Sequence, residues 1–255
     1  MDDVDGFETQ LDARTSIASE LESVGFHEAH EIGHGGFGVV YRCTQASLDR
    51  KVAVKVLIGD STADNRDRFV REQQAMGKLT GHPNIVSALQ TGFTEKGRPF
   101  IVMQCHERGS LDRLIRNEGP RPLQDVLRLG VKMAGALEIA HRNGILHRDV
   151  KPANVLFTDY GEPVLTDFGI AHIVGGFETT IGVVTGTPGF IAPEVLGGQR
   201  SSPKSDIYSL GATLFCAIAG YAAFERRTAE PGWRSSCVLL NNRYPISGTA
   251  ESQMM

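Results

Sequence analysis

Residues 145–169 read ILHRDVKPANVLFTDYGEPVLTDFG, and the fold and chemistry of the chain turn on this stretch. It carries His147, Arg148 and Asp149, then Lys151 and Asn154; thirteen residues past that amide come Asp167, Phe168 and Gly169. Two carboxylates and an amide are hard oxygen donors, and such donors, completed by phosphate oxygens and water, suit magnesium. Transfer of a γ-phosphoryl group asks for positioning of the acceptor hydroxyl and neutralisation of phosphate charge, with little covalent work by the protein. For that chemistry Asp149 is the candidate base that orients the hydroxyl and accepts its proton. Asn154 and Asp167 are the candidate metal ligands, and Lys151 is a point charge within reach of the moving phosphate. HRD or DFG alone is a chance tripeptide; both, in this order and spacing, arise by chance less than about once in a hundred.

Upstream, residues 26–32 alternate toward a strand, Gly33, His34, Gly35, Gly36, Phe37 and Gly38 follow, and Val39, Val40, Tyr41 and Arg42 come next. A dinucleotide fingerprint of this GxGxxG form must follow a strand and open a helix. Here the glycines lead into a β-branched and aromatic run, so a hairpin fits better. Glycine suits a backbone that folds over a triphosphate at close range with its N–H groups free to donate. Residues 51–57 form an alternating strand with Lys55 in its middle, the candidate to hold the α and β phosphates; the plainer alternative is a solvent-facing lysine on an edge strand. Glu72, on the periodic segment 66–79 with Phe69, Met76 and Leu79, is the carboxylate placed to pair with Lys55; Gln73 and Gln74 are uncharged and cannot. Residues 86–91 and 99–104 supply two further strands around the turn-rich 95–98, which completes a five-stranded small lobe.

Downstream the period becomes helical. Ser110 is a candidate N-cap for a helix carrying Leu111, Leu114 and Ile115. A longer helix is predicted over 123–143, with Val126, Leu129, Met133, Leu137 and Ala140 on one face and a stop at Asn143-Gly144 that delivers the chain into the stretch quoted above. Asp112 and Asp125 read as solvated helix residues. The most apolar segment, 207–220, is too short for a bilayer and holds Tyr208, Ser209 and Gly211, so it reads as a buried core helix.

At 255 residues and 41% hydrophobic content the chain can bury a sizeable core. A net charge of -4 and a pI near 6.1 give no global basic patch, so no direct nucleic-acid partner is expected. Cys43, Cys105, Cys216 and Cys237 show no paired spacing, which argues against a zinc site or disulfide framework and fits a reducing, cytoplasmic setting. The acidic first twenty residues have no apolar stretch of signal-peptide kind, and no membrane partner is expected.

With these motifs in order, the chain resembles the Hanks-type, eukaryotic-like protein kinases of bacteria. The resemblance implies an α+β, bilobal fold: a five-stranded small lobe with one main helix, a hinge, and a mostly helical large lobe. It also implies ATP and Mg2+ as cofactors and a protein substrate with a serine or threonine acceptor. By the same resemblance Met103 is the gatekeeper, Gln104, Cys105 and His106 form the hinge against adenine, and Val40, Ala53 and Leu156 sandwich the ring. Asp206 would hold the catalytic-loop backbone, below a stack of Met76, Ala88 or Leu89, His147 and Phe168. Residues 170–193, running into TPGFIAPE at 187–194, resemble an activation segment; a phosphate on Thr179, Thr180 or Thr185 would pair with Arg148. In the family Thr187 lies against the catalytic aspartate and lysine, and with Lys151 it resembles the serine/threonine branch.

The resemblance divides the chain into a flexible leader, 1–25, with room for one or two short amphipathic turns over 17–24, a small lobe and hinge, 26–106, a large lobe, 107–227, and an irregular tail, 228–255. Kinase large lobes carry further helices and an arginine that pairs with the glutamate at the position of Glu194. The tail lacks helical period, so a truncated large lobe is expected, with Glu194 left unpaired at a cost of about 3–5 kcal/mol if buried. An uncovered apolar surface would favour self-association. On GGFGVVYRC, SLDRKVAVKVL and SLGATLFCAIAG the chain is most similar to an actinobacterial group whose members carry a transcription-factor-type regulatory region beyond the kinase domain. The competing function is a non-catalytic nucleotide-binding or regulatory module of kinase ancestry; a small-molecule phosphotransferase fits the TPGFIAPE segment less well.

Overall fold

A computed structural model describes residues 16–35, 38–58, 67, 69–70, 73–74, 76–168 and 188–224. Strands β1 (Phe26–Gly35), β2 (Gly38–Gln45), β3 (Arg50–Leu57), β4 (Ala88–Phe93) and β5 (Pro99–Gln104) form an antiparallel sheet in the order β1-β2-β3-β5-β4. Hairpins account for the β1-β2-β3 run, and β5 inserts beside β3, which leaves β3 central and buried on both faces. Its period of two sends Val52, Val54 and Val56 into one cluster and Ala53 and Leu57 into another, with Lys55 on the second face. Lys55 is therefore no edge lysine; it is 6% exposed, paired in register with Val40 and Ile101.

The leader expected over 1–25 differs in its described part. Residues 16–23 form a helix, α1, that packs Ile17 and Leu21 against Phe26, Val39, Val52 and Phe100 on the sheet face away from Lys55. Each such burial contributes about 1.5–3 kcal/mol, enough to order a two-turn helix that has little stability alone. A second helix, α2, is described at Asp67, Phe69, Val70, Gln73, Gln74, Met76 and Gly77, with Phe69 packed edge-on to Phe93 at 5.6 Å. The strand expected at 86–91 starts later, at Ala88. The reason is that Asn84 and Val86 are engaged with the other lobe: the Val86 N–H donates to Leu165 O at 2.9 Å and the Leu165 N–H to Asn84 O at 2.9 Å.

The large lobe is built on α3 (Leu111–Glu118), α4 (Leu123–Arg142), α5 (Pro193–Leu196) and α6 (Pro203–Ala219), with a short hairpin of β6 (Val155–Phe157) and β7 (Pro163–Leu165). Ser110 caps α3 by accepting from the Arg113 N–H, as its sequence predicts. α6 opens with a capping box between Ser202 and Ser205 and closes on left-handed Gly220. Helices α4 and α6 meet closely at Gly130, where any Cβ would stand 3.0 Å from Leu214. Glu194 lies in the first turn of the four-residue α5 and is only partly buried, so the full cost expected for an unpaired buried charge does not apply.

Candidate active site

Between the lobes lies a cleft of about 720 Å³, within the range of small-molecule sites. The β1-β2 hairpin roofs it. Gly38, at φ +153, has no room for a side chain, since a Cβ would meet Val56 O at 2.2 Å. Gly33, His34 and Gly35 also line the cleft; Gly36 and Phe37 lie outside the described residues. The rear and hinge wall is formed by Met103, Gln104, Cys105 and His106, and Val40, Ala53 and Leu156 give apolar surface. Ala53 pairs in register with Met103, and the Met103 Sδ accepts from Thr166 Oγ1 at 4.0 Å. Burial lowers the His106 pKa and, with Glu107 nearby, raises that of the Cys105 thiol; Cys43 is pushed up to about 12, again by burial first. These thiols are small packing groups at neutral pH.

The stretch 145–169 delivers its polar groups to the other end. Lys151 Nζ lies 2.8 Å from Asp149 Oδ2, and Asn154 Nδ2 donates to the same oxygen at 3.0 Å and to Asp149 O at 2.7 Å. The Asn154 amide nitrogen is thus occupied, which leaves its side-chain carbonyl as an oxygen donor in the cleft that Asp167 also lines. Lys55 Nζ sits 2.8 Å from Asp167 Oδ2. The expected partner Glu72 lies outside the described residues, so the pairing found for Lys55 is the one with Asp167. A carbonyl and a carboxylate, without a closed cage of His, Cys, Asp or Glu among the described residues, fit magnesium, which keeps water and phosphate ligands.

Two residues here hold left-handed backbone without being glycine: Arg148 at φ +67 and Asp167 at φ +66. Such strain costs about 1–3 kcal/mol each and persists where surroundings impose it. At Arg148 the imposing group is Asp206, 1% exposed, whose Oδ1 accepts from the Arg148 N–H at 2.8 Å and whose Oδ2 accepts from the His147 N–H at 2.9 Å. His141 of α4 reaches Asp206 Oδ2 at 2.8 Å, a partner the sequence offered no signal for beyond its place in a helix's last turn. His147 is fully buried, and burial lowers its pKa despite the nearby carboxylates of Asp206, Asp149 and Asp167. Its Nδ1 accepts from the Asp149 N–H at 3.2 Å, so the ring is neutral with its proton on Nε2, donated to Thr166 O at 2.8 Å. His147 stacks at 4.6 Å on Phe168; Met76, Ala88 and Phe168 line one small rear cavity, whereas Leu89 is 40% exposed, which selects Ala88 for the stack. Thr179, Thr180, Thr185 and Thr187 lie outside the described residues.

A five-stranded lobe over a helical lobe, with a glycine hairpin, a buried strand lysine and paired HRD and DFG loops in one cleft, defines a protein kinase fold. The chain belongs to the protein kinase domain family, whose model matches residues 26–243, past Arg227 where the motif resemblance ends. It is 61% identical over 230 residues to the serine/threonine-protein kinase PknK of Mycobacterium tuberculosis, a match covering 90% of this chain and 21% of that protein. It is 36% identical to the serine/threonine-protein kinase PknL of the same species, over 83% of this chain and 53% of that one. The crystal structure of the Mycobacterium tuberculosis PknI kinase domain superposes with a TM-score of 0.61 at 28% identity, covering 81% of this chain and 79% of that chain. The chain thus spans about a fifth of the length of PknK and about half that of PknL. No described helix is long and apolar enough to cross a membrane.

Proposed function

We propose that this chain transfers the γ-phosphoryl group of ATP to serine or threonine hydroxyls of proteins in the cytoplasm, its own Thr179, Thr180 and Thr185 among them. The observation that supports this most is the gathering of Asp149, Lys151, Asn154, Lys55 and Asp167 in one cleft, through two ion pairs of 2.8 Å and a shared amide. Asp149 accepts the hydroxyl proton and orients the nucleophile, its carboxylate fixed by Asn154. Lys151 neutralises charge on the transferred group, and Lys55 holds the α and β phosphates from the roof of the cleft. Asn154 and Asp167 would hold magnesium, which would supply charge neutralisation on the phosphate oxygens. The hinge, Gln104 to His106, receives adenine, between Val40 and Ala53 above and Leu156 below.

Labelled γ-phosphate from ATP and magnesium is expected to enter the chain itself and a generic protein acceptor, and Asp149→Asn is expected to lower that signal by a factor of at least about a hundred. Equal incorporation by the Asp149→Asn protein would refute the assignment of the base. A folded, ATP-binding wild-type chain without transfer would instead favour a non-catalytic nucleotide-binding module.

A further inference from the structure

Among the described residues, four cations other than histidine line the cleft: Arg42, Lys55, Arg113 and Lys151. Lys55 pairs with Asp167, Lys151 with Asp149, and Arg42 with Glu107 at 3.8 Å. Arg113, in the first turn of α3, has no carboxylate within ion-pairing distance among the described residues; the adjacent Asp112 is engaged by Arg116 at 2.9 Å. The Arg113 backbone N–H belongs to the Ser110 cap, and its side chain lies across Gly109, whose added Cβ would meet the Arg113 Cδ at 3.1 Å. Glu107 is itself shared, with Lys51 at 3.6 Å from the same carboxylate oxygen as Arg42. At the hinge end of the cleft, Arg42 and Lys51 share Glu107, Asp159 acts on Cys105 and His106, and Arg113 is left as a cation with no carboxylate of its own among the described residues, in a chain whose net charge is -4. The phosphate-handling groups Lys55 and Asp167 lie elsewhere: Lys55 is in register with Ile101, three residues back along β5 from Gln104. Ala153, also in the lining, adds no charge.

We infer that Arg113, with Arg42 in the same cleft lining, selects acceptor polypeptides that carry acidic side chains near the hydroxyl to be phosphorylated. This rests on the kinase function proposed above and names its substrate class. A local positive rim on a negative protein draws an anionic segment to the mouth of the cleft. An exposed arginine left without a partner gains one when a carboxylate arrives, at little desolvation cost, and the attraction is screened by salt.

The test reads binding, so that it is independent of turnover. Fluorescein-labelled peptides with alanine at the acceptor position, flanked by glutamate, alanine or lysine, are titrated with the chain by anisotropy in the presence of a non-hydrolysable ATP analogue and magnesium. The glutamate peptide is expected to bind about three- to tenfold tighter than the alanine peptide, the lysine peptide weaker, with the spread narrowing as salt rises. Arg113→Glu is expected to flatten or invert this order, and Arg113→Lys to restore most of it. Equal affinity for the glutamate and alanine peptides, or an unchanged order in Arg113→Glu, overturns the inference; so does weakened nucleotide affinity in Arg113→Glu with an unchanged order, which makes Arg113 a nucleotide contact. Acidic preference without phosphoryl transfer would refute the kinase function and leave the cationic rim standing, whereas transfer without preference removes the rim's role alone.

Discussion

Asp206 orders the catalytic loop through atoms that only a carboxylate supplies. Its two oxygens accept from two consecutive backbone N–H groups and from His141, all below about 3 Å of heavy-atom separation. Asparagine in its place offers one oxygen and turns an N–H2 group toward a backbone donor, so one buried N–H loses its acceptor. Asp206→Asn is expected to destabilise the chain by about 2–4 kcal/mol, read as a lower urea midpoint, and to lower phosphoryl transfer in the fraction still folded. An unchanged midpoint would show that the loop does not depend on this carboxylate for its strained Arg148. That Asp149, Lys151, Asn154 and Asp167 gather in one cleft was legible from residue type and spacing, because the proposed chemistry needs oxygen donors and a cation within a short segment. The contact of His141 with Asp206 was not legible, since the two residues are 65 positions apart and a histidine ending a helix is ordinary.

At the scale of elements, α1 ties the start of the described chain to the turn between β4 and β5. Glu20, 4% exposed, accepts from Thr94 Oγ1 at 2.7 Å and Ser16 Oγ at 3.1 Å, with Arg98 at 3.3 Å and Lys96 at 3.4 Å. Burial alone would raise its pKa, but these hydrogen bonds and cations outweigh it and hold the carboxyl below its ordinary 4.5. A folded value held low means stabilisation that is present above pH 4.5 and lost as pH falls through the folded value. Glu20→Gln is therefore expected to cost about 1–3 kcal/mol at neutral pH, and the gap from wild type to shrink in urea melts taken progressively below pH 4.5. A gap that stays constant with pH would assign the loss to packing. Helices α3 and α4 were legible because the Ser110 cap, the Asn143-Gly144 stop and their apolar periods are local, and α6 because its segment is the most apolar of the chain. α1 was legible only as one or two short amphipathic turns over 17–24: Ile17 and Leu21 make a short pattern, and apart from Ser16 the partners of Glu20 sit more than seventy residues away, at Thr94 to Arg98. The late start of β4 has the same origin, a contact with Leu165 across the lobes.

For the whole molecule, the two lobes are differently finished. The small lobe covers its sheet on both faces, with α1 on one side and Phe69 of α2 with Val164 on the other. The large lobe centres on α4 and α6, yet each also presents apolar side chains outward. On α4, Leu123, Leu127 and Val131 recur every four residues and are 56%, 53% and 75% exposed. On α6, Ile207, Phe215 and Ile218 share a stripe, continued by Tyr221, which is in edge contact with Phe215 at 6.0 Å. Contiguous surface of this kind, unlike scattered exposed leucines, drives association. The chain by itself is expected to self-associate through the α6 stripe, seen as a sedimentation coefficient that rises with concentration. Lysine at both Phe215 and Ile218 should make it sediment as a monomer without lowering its melting temperature, because half-exposed side chains contribute little to the core they leave. Monomeric behaviour of the wild-type chain at every concentration would show that the stripe is too broken by polar neighbours to hold a second copy. Association that persists in the double variant would move the contact to Leu123, Leu127 and Val131, where the same substitution tests it again.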